Sequence, residues 1–324
     1  MPTEHAVLQS GESAARSADE LRRRLRDEVR KIVVGADEAT DDILIALLSR
    51  GHILFEGVPG IAKTTLAKAA GTAIGCNFRR IQFTPDVLPS DVTGTFILDK
   101  SRQDFVLRKG PIFTNILLVD EINRAPAKTQ SALLEAMQEN QVTIDGETFA
   151  LPSPFLVMAT QNPIELEGVY RLPEAELDRF FLRILFRYPT ADEEKSILAL
   201  HSRATEPIRP LLDPDAIRAW QGAVEGLHVP SNVLDYVVAI AEKTRAHPDL
   251  FLGASPRASL FLLQAARSRA FLHDRPYATH DDVKSMAPKV LAHRLVGRPE
   301  SEMEGRTASS VLERILAEVP VFGT

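Results

Sequence analysis

The stretch Ile53-Leu-Phe-Glu-Gly57-Val-Pro-Gly60-Ile-Ala-Lys63-Thr64-Thr65-Leu-Ala-Lys-Ala-Ala-Gly-Thr-Ala-Ile74 passes from a short apolar run, through a glycine-containing loop, into a helical pattern. Bound phosphates need convergent backbone N–H groups, a helix N-terminus and a cation, and a strand–loop–helix with lysine at the helix start supplies all three. Gly57, Val58, Pro59, Gly60, Ile61 and Ala62 form the candidate cradle, which runs on through Thr64 and Thr65. Lys63 is placed to reach β- and γ-phosphates, and Thr64 offers a hydroxyl to Mg²⁺. The general P-loop pattern has a second glycine where this chain has Ala62. Alanine is the smallest side chain after glycine and favours the helix that starts there. An ordinary glycine turn is the alternative, and the strand–loop–helix setting favours the nucleotide reading.

Downstream, Ile116-Leu-Leu-Val119 is a continuous apolar run that ends in Asp120-Glu121. A buried strand of a parallel sheet delivers such acids at its C-terminal edge, where ligands bind in sheets of this kind. Asp120 is the candidate holder of Mg²⁺, together with Thr64, and Glu121 the candidate general base for an attacking water. A helix-capping acid pair is the alternative. A further strand, Phe155–Thr160, ends in Gln161-Asn162-Pro163, and a neutral amide there can orient the water or contact the γ-phosphate; Asn-Pro is also a common turn starter.

The surrounding pattern sets the fold class. Short apolar runs at 52–56, 77–83, 116–119, 155–160 and 182–188 alternate with helical stretches at 63–74 and 128–140, as in an α/β domain whose parallel sheet is covered by helices on both faces. Two hairpins interrupt the alternation as insertions: Gln141–Leu151, turning at Asp145-Gly146, and Phe96–Leu107. Two helices, 21–31 and 37–50, precede the sheet. Past Pro189 the strands stop, and helices are expected at 192–200, 213–225, 233–247, 256–272 and 280–295. Ser255-Pro256 caps the fourth, while Pro288 should kink or split the fifth. The division is a disordered tail at 1–19, an α/β nucleotide-binding domain at 20–189 and an all-α domain at 190–324.

The bulk numbers agree with a soluble enzyme of this kind. The 324 residues are 44% hydrophobic and 25% charged, which is enough to build a large core without a covalent staple. One cysteine, Cys76, excludes an intrachain disulfide and fits a reducing cytoplasm. The net charge of −6 comes with no basic cluster beyond Arg22-Arg23-Arg24 and Arg26, whose neighbours Asp27 and Glu28 mark a solvated helix face; nucleic acid is therefore an unfavoured partner. The first residues lack the order of a signal peptide, and no run is long enough to span a bilayer.

Several longer stretches resemble the MoxR family of AAA+ ATPases. They are Phe83-Thr-Pro-Asp-Val-Leu-Pro-Ser-Asp-Val-Thr-Gly94, Gly110-Pro-Ile-Phe-Thr-Asn-Ile-Leu-Leu-Val-Asp-Glu-Ile-Asn-Arg-Ala-Pro126 and Ala159-Thr-Gln-Asn-Pro-Ile-Glu165. Leu172-Pro-Glu-Ala-Glu-Leu-Asp-Arg-Phe180, Gly253-Ala-Ser-Pro-Arg257 and Asp281–Arg294 extend the match, which covers about Val33 to Arg298. The resemblance implies an AAA+ module, a P-loop NTPase domain followed by an α-helical lid, that hydrolyses ATP with Mg²⁺. It implies sensor 1 at Asn162, an arginine finger at Arg179 that acts on a neighbouring subunit, and sensor 2 at Arg257. Arg171 is a second candidate for the finger. It also implies a ring, a hexamer by the family's habit, and a chaperone-like cytoplasmic remodeller with a partner carrying a von Willebrand factor A domain. From the residues alone, Arg179 could equally pair with Asp178 or Glu176, and Arg257 could be a solvated helix-end arginine. A DNA-acting AAA+ motor, a metal-chelatase-type motor subunit and a nucleotide-dependent scaffold are the other functions this chassis could serve.

Overall fold

A computed structural model describes residues 17–58, 60–101, 103–162, 170, 172–201 and 206–321. Two helices, α1 (Ala18–Arg30) and α2 (Asp37–Leu48), lead into β1 (Ile53–Glu56), α3 (Lys63–Ile74) and β2 (Phe78–Gln82). A short helix α4 (Pro89–Thr93) opens the hairpin β3 (Gly94–Asp99) and β4 (Asp104–Lys109), and β5 (Ile116–Asp120) and α5 (Ala127–Glu139) follow. A second hairpin, β6 (Gln141–Ile144) and β7 (Glu147–Ala150), precedes β8 (Leu156–Gln161), α6 (Glu174–Leu177) and β9 (Leu182–Leu185). The rest is α7 (Ala191–His201), α8 (Pro214–Glu225), α9 (Ser231–Ala246), β10 (Leu250–Leu252), α10 (Pro256–Phe271), α11 (His280–Leu291), β11 (Val296–Gly297), α12 (Pro299–Met303) and α13 (Ala308–Glu318).

Five strands form one parallel sheet in the order β2-β5-β8-β1-β9. Alternate side chains of each strand face opposite ways, so the continuous apolar runs serve two cores at once. Ile53, Phe55, Ile116, Leu118, Leu156 and Met158 join one buried cluster, while Leu54, Leu117, Val119, Val157 and Ala159 join the other. The two hairpins are separate two-stranded sheets, as insertions should be. Asp145 and Gly146 both have positive φ (49° and 88°), the twist-matched turn that an Asp-Gly pair favours.

His52 fastens the head of β1. Its buried ring stands with Nε2 2.9 Å from Met137 O, and Nδ1 accepts the Val157 N–H at 3.0 Å. Burial pushes its pKa down to about 4, so the neutral ring is the one that bridges α5 to β8.

Some expectations need correction. The tail does not run to residue 19: Ser17 caps α1, its side chain accepting the Glu20 N–H, and Ala18 and Asp19 are helical; residues 1–16 lie outside the described residues. Strands do not stop at Pro189, since β10 pairs antiparallel with β11. The fifth helix is not split at Pro288, which lies inside α11 within one turn of its end, where loss of a single main-chain bond is tolerated. The run 182–188 leaves the sheet after Leu185, and Tyr188 is exposed. The arginine-rich face of α1 is not wholly solvated: Arg22 is buried and pairs with Asp19 and Asp41, and Arg26 pairs with Asp41 of α2.

The apolar cluster on the α1–α3 face of the sheet continues through α2 into the C-terminal helices, taking in Ile217, Tyr236 and Leu262. Trp220 is half-buried edge-on against Phe271 at 5.4 Å between centroids. Sheet and helical region thus share one core.

Candidate nucleotide site

Three adjacent strands, β5, β8 and β1, end at the same edge of the sheet. Their C-termini carry Asp120, Gln161 and the loop after Glu56, so residues more than 100 positions apart meet in one place.

The loop reverses the chain with little room. Gly57 lies at φ +153°, and a Cβ there would meet Phe186 O at 2.8 Å. Gly60 has φ +83°. Ala62 is left-handed as well (φ 61°, ψ 19°) and stands just outside α3 as its N-cap. The sequence reading placed alanine there for helix propensity; the structure shows instead a backbone position suited to glycine, where an L-residue costs about 1–2 kcal/mol. Lys63 Nζ donates to Gly57 O at 2.5 Å and lies 3.4 Å from Gln161 O. Pro59 lies outside the described residues.

Asp120 is buried, and its carboxylate gathers three groups. Thr64 Oγ1 donates to it at 3.2 Å, Thr160 Oγ1 at 3.3 Å and Arg80 Nε at 2.5 Å. Glu121 follows in the left-handed region (φ 59°, ψ 53°), its N–H donating to Thr160 Oγ1 at 2.9 Å. One hydroxyl, Thr160, therefore fixes both acids. The Glu121 carboxylate is held at the lip by Gln82 Nε2 at 2.8 Å and Arg124 Nε at 3.0 Å. A non-glycine residue in left-handed backbone at a putting-together of this kind marks strain held by its surroundings.

These groups line one cavity of about 800 Å³, within the size range of small-ligand clefts. Its polar end is Gly60 to Thr65 with Arg80, Gln82, Asp120, Glu121, Thr160 and Asn162. Its other end is largely apolar, with Ile32, Val33, Leu185, Tyr188, Ile197 and Leu200. A triphosphate needs the first and a flat base the second. The hard oxygen donors Thr64 and Asp120 suit Mg²⁺, which takes one or two protein oxygens and completes its shell with phosphates and water. Among the described residues there is no cluster of three or more His, Cys, Asp or Glu side chains that could hold a metal alone. The residues present fit a Mg²⁺–nucleotide better than a permanent metal.

Two expected site residues stand elsewhere. Arg257, in the first turn of α10, does not line the cavity; its Nη1 lies 3.7 Å from Asp178 Oδ2. In this arrangement Arg257 faces the Asp178 carboxylate and not the cavity. Arg179 also lies off the cavity, half-exposed just past α6. The pairing with Asp178 or Glu176 that its neighbours suggested is absent: among the described residues, the Arg179 guanidinium has no hydrogen bond or ion pair. Arg171 lies outside the described residues.

Asp178 instead belongs to Arg294, at the end of α11. Nε of Arg294 donates to Asp178 Oδ1 at 2.8 Å, and Nη2 to Asp178 O at 3.1 Å. Burial pulls this guanidinium down to about 10, against the opposing pull of Asp178. Arg294, Thr160, Arg80 and Gln82 carry no signal in the sequence, because each gains its meaning only from partners distant in the chain, and Asp178 pairs with Arg294 where its neighbour Arg179 was the expected partner.

Comparison with known proteins agrees with this architecture. Residues 52–182 match the model of the ATPase family associated with various cellular activities (AAA), and residues 242–315 match the AAA lid domain. YeaC of Bacillus subtilis, an uncharacterized protein, is 44% identical over 91% of this chain and 93% of its own length. Chaperone MoxR1 of Mycobacterium tuberculosis is 44% identical over 90% of this chain and 80% of its own. A crystal structure from Cytophaga hutchinsonii, provisionally described as an ATPase, superposes with a TM-score of 0.88 at 37% identity, covering 94% of this chain and 96% of that one. The parallel sheet, its nucleotide edge and the helical lid define an ATPase of the AAA class. Within that class, the chain belongs to the MoxR family of AAA+ ATPases.

Proposed function

We propose that this ATPase binds Mg²⁺–ATP in the 800 Å³ cleft and hydrolyses it there as one subunit of a ring. The observation that carries the reading is the convergence of Lys63, Thr64, Asp120, Glu121 and Asn162 on one cavity from three adjacent strand ends. The adenine packs between Ile32 and Val33 on one side and Tyr188 and Ile197 on the other. The loop from Gly57 through Thr65 wraps the phosphates, and Lys63 Nζ exchanges its carbonyl partners for phosphate oxygens. Thr64 and Asp120 hold Mg²⁺, which when bound neutralises charge between the β- and γ-phosphates. Arg80 contacts the same Asp120 carboxylate and has to give way on that side.

Glu121, fixed by Gln82 and Arg124, accepts a proton from the attacking water, and Asn162 orients that water. Charge that grows on the γ-oxygens needs a further cation. Arg179, half-buried and without a hydrogen bond or ion pair among the described residues, supplies it to a neighbouring copy. Arg257 supplies another from the lid once it leaves Asp178. The division into nucleotide-binding and lid units near Pro189 follows from this reading, with the cleft between them. So does a hexameric ring.

In the cell we read the protein as a chaperone-like remodeller that matures or activates client proteins in the cytoplasm, with a partner carrying a von Willebrand factor A domain. The chaperone name of the mycobacterial relative supports the chaperone part of this reading. Among the described residues no helix is long and apolar enough to cross a membrane.

Glu121→Gln tests the chemistry. It should bind ATP with near wild-type affinity while turnover falls by about 10²–10⁴-fold, the usual worth of a general base. Turnover within a few-fold of wild type would remove Glu121 from the mechanism.

A further inference from the structure

The junction of α6 with the end of α11 is built more tightly than a lid contact requires. Arg294 is 5% exposed. Besides its two bonds to Asp178, its Nη2 donates to Phe180 O and its Nη1 to Phe181 O at 3.4 Å. The guanidinium also lies over the Phe261 ring, 5.0 Å from its centroid. Four of these acceptors flank Arg179 in sequence: the Asp178 carboxylate and the carbonyls of residues 178, 180 and 181. None belongs to Arg179. The backbone on both sides of Arg179 is thus gripped by a buried fork, while among the described residues the half-buried Arg179 side chain has no hydrogen bond or ion pair. Ser255 Oγ, the cap of α10, adds a weaker bond to Asp178 at 3.4 Å.

We propose that Arg294 and Asp178 are positioning residues for Arg179, which they aim at the nucleotide of a neighbouring copy. The proposal rests on the reading of Arg179 as a residue that acts in trans. The chemistry of the grip explains the choice of residues. A planar guanidinium with five N–H donors can satisfy a carboxylate and several carbonyls at once, whereas an ammonium serves as a compact point charge with a different donor geometry. Aiming matters because a misplacement of about 1 Å can cost about 10²-fold in rate.

Mixed rings separate aiming from folding. A subunit with Asp178→Asn keeps its own P-loop and Glu121 but presents a misaimed Arg179. A subunit with Glu121→Gln cannot hydrolyse but presents a correctly aimed one. Alone, Asp178→Asn and Arg294→Lys should each lower kcat by about 10²-fold with KM and ATP affinity little changed. Mixed with Glu121→Gln, each should regain activity well above the sum of the separate samples. Arg179→Ala mixed with Glu121→Gln is the control. If that control gains activity while the Asp178→Asn and Arg294→Lys mixtures do not, the positioning role is wrong and the trans reading stands. If the control itself gains nothing, the trans reading fails and takes the positioning role with it. Thermal melting accompanies each sample; should Arg294→Lys melt early, the isosteric Asp178→Asn carries the comparison alone.

Discussion

The nucleotide edge and the α6–α11 junction carry charged residues in opposite conditions. At the nucleotide edge, the working groups are thinly held. Arg80 and Glu121 stand at the lip, Lys63 rests on carbonyls, and Ala62 and Glu121 sit in left-handed backbone. At the junction, one buried arginine is satisfied on nearly every side by residues that never meet substrate. The difference teaches where each kind of energy is placed. Arg80 and Glu121, which face the cavity, are part-solvated, and Glu121 sits in left-handed backbone, although Asp120 beside them is buried. The group that only sets direction is dry, rigid and fully paired. Arg257 belongs to the first kind although it touches the junction: its side chain is 45% exposed, and 3.7 Å is an ion-pair contact too long for a hydrogen bond.

Four substitutions or conditions can break or sharpen that contrast. The largest effect on stability should come from Arg294→Ala, which leaves the Asp178 carboxylate only its weaker Ser255 and Arg257 contacts and takes a donor from three carbonyls; removing one partner of a buried pair costs about 3–5 kcal/mol. Chemical denaturation checks it, and a loss below about 1 kcal/mol would mean the junction is no firmer than the surface.

Acid comes next. His52 has a folded pKa of about 4 against an ordinary 6.5, a depressed value, so its contribution is fully present above pH 6.5 and fades as pH falls towards 4. The difference of about 2.5 units corresponds to about 3 kcal/mol at about 1.4 kcal/mol per unit. His52→Gln should flatten that part of the profile of melting temperature against pH; an unchanged slope would place the acid sensitivity elsewhere.

Ala62→Gly should act in the opposite direction. Relief of about 1–2 kcal/mol of left-handed strain exceeds the extra unfolded-state entropy of glycine, about 0.4–1 kcal/mol, for a net gain of about 0.5–1 kcal/mol. A lower melting temperature would show that the loop is not strained at this residue. The smallest change is expected for Arg257→Ala, whose exposed pair is worth about 0.2–1 kcal/mol, in contrast to Arg294 reaching the same carboxylate. A loss comparable to that of Arg294→Ala would erase the distinction between the two arginines.

What could be read from the sequence follows the same line. The strands at 53–56, 116–120 and 156–161 were legible because burial on both faces makes them continuous apolar runs. Asp145-Gly146 and Ser255-Pro256 were legible because turn and cap chemistry is local. The three- and two-residue strands β10 and β11 leave no periodicity to read. The direction of Arg257 and the grip of Arg294 on residues 116 positions away are tertiary facts, decided by which carboxylate each arginine meets first. Within the candidate site, the loop and the acids could be picked out by their place at strand ends, while Asn162 took its assignment from the family resemblance. Thr160, Arg80 and Gln82 could not be picked out, since a hydroxyl or a cation on a strand end has no signature until the neighbouring strand is known.

The most direct test of a composite site completed by a second copy is ATP turnover per subunit as a function of protein concentration, with particle mass followed in parallel, for wild type and Arg179→Ala. The account predicts turnover that rises with assembly in the wild type. It predicts a loss of about 10³–10⁵-fold for Arg179→Ala, with ATP still bound and the ring still formed. Turnover independent of concentration and retained in Arg179→Ala would contradict it.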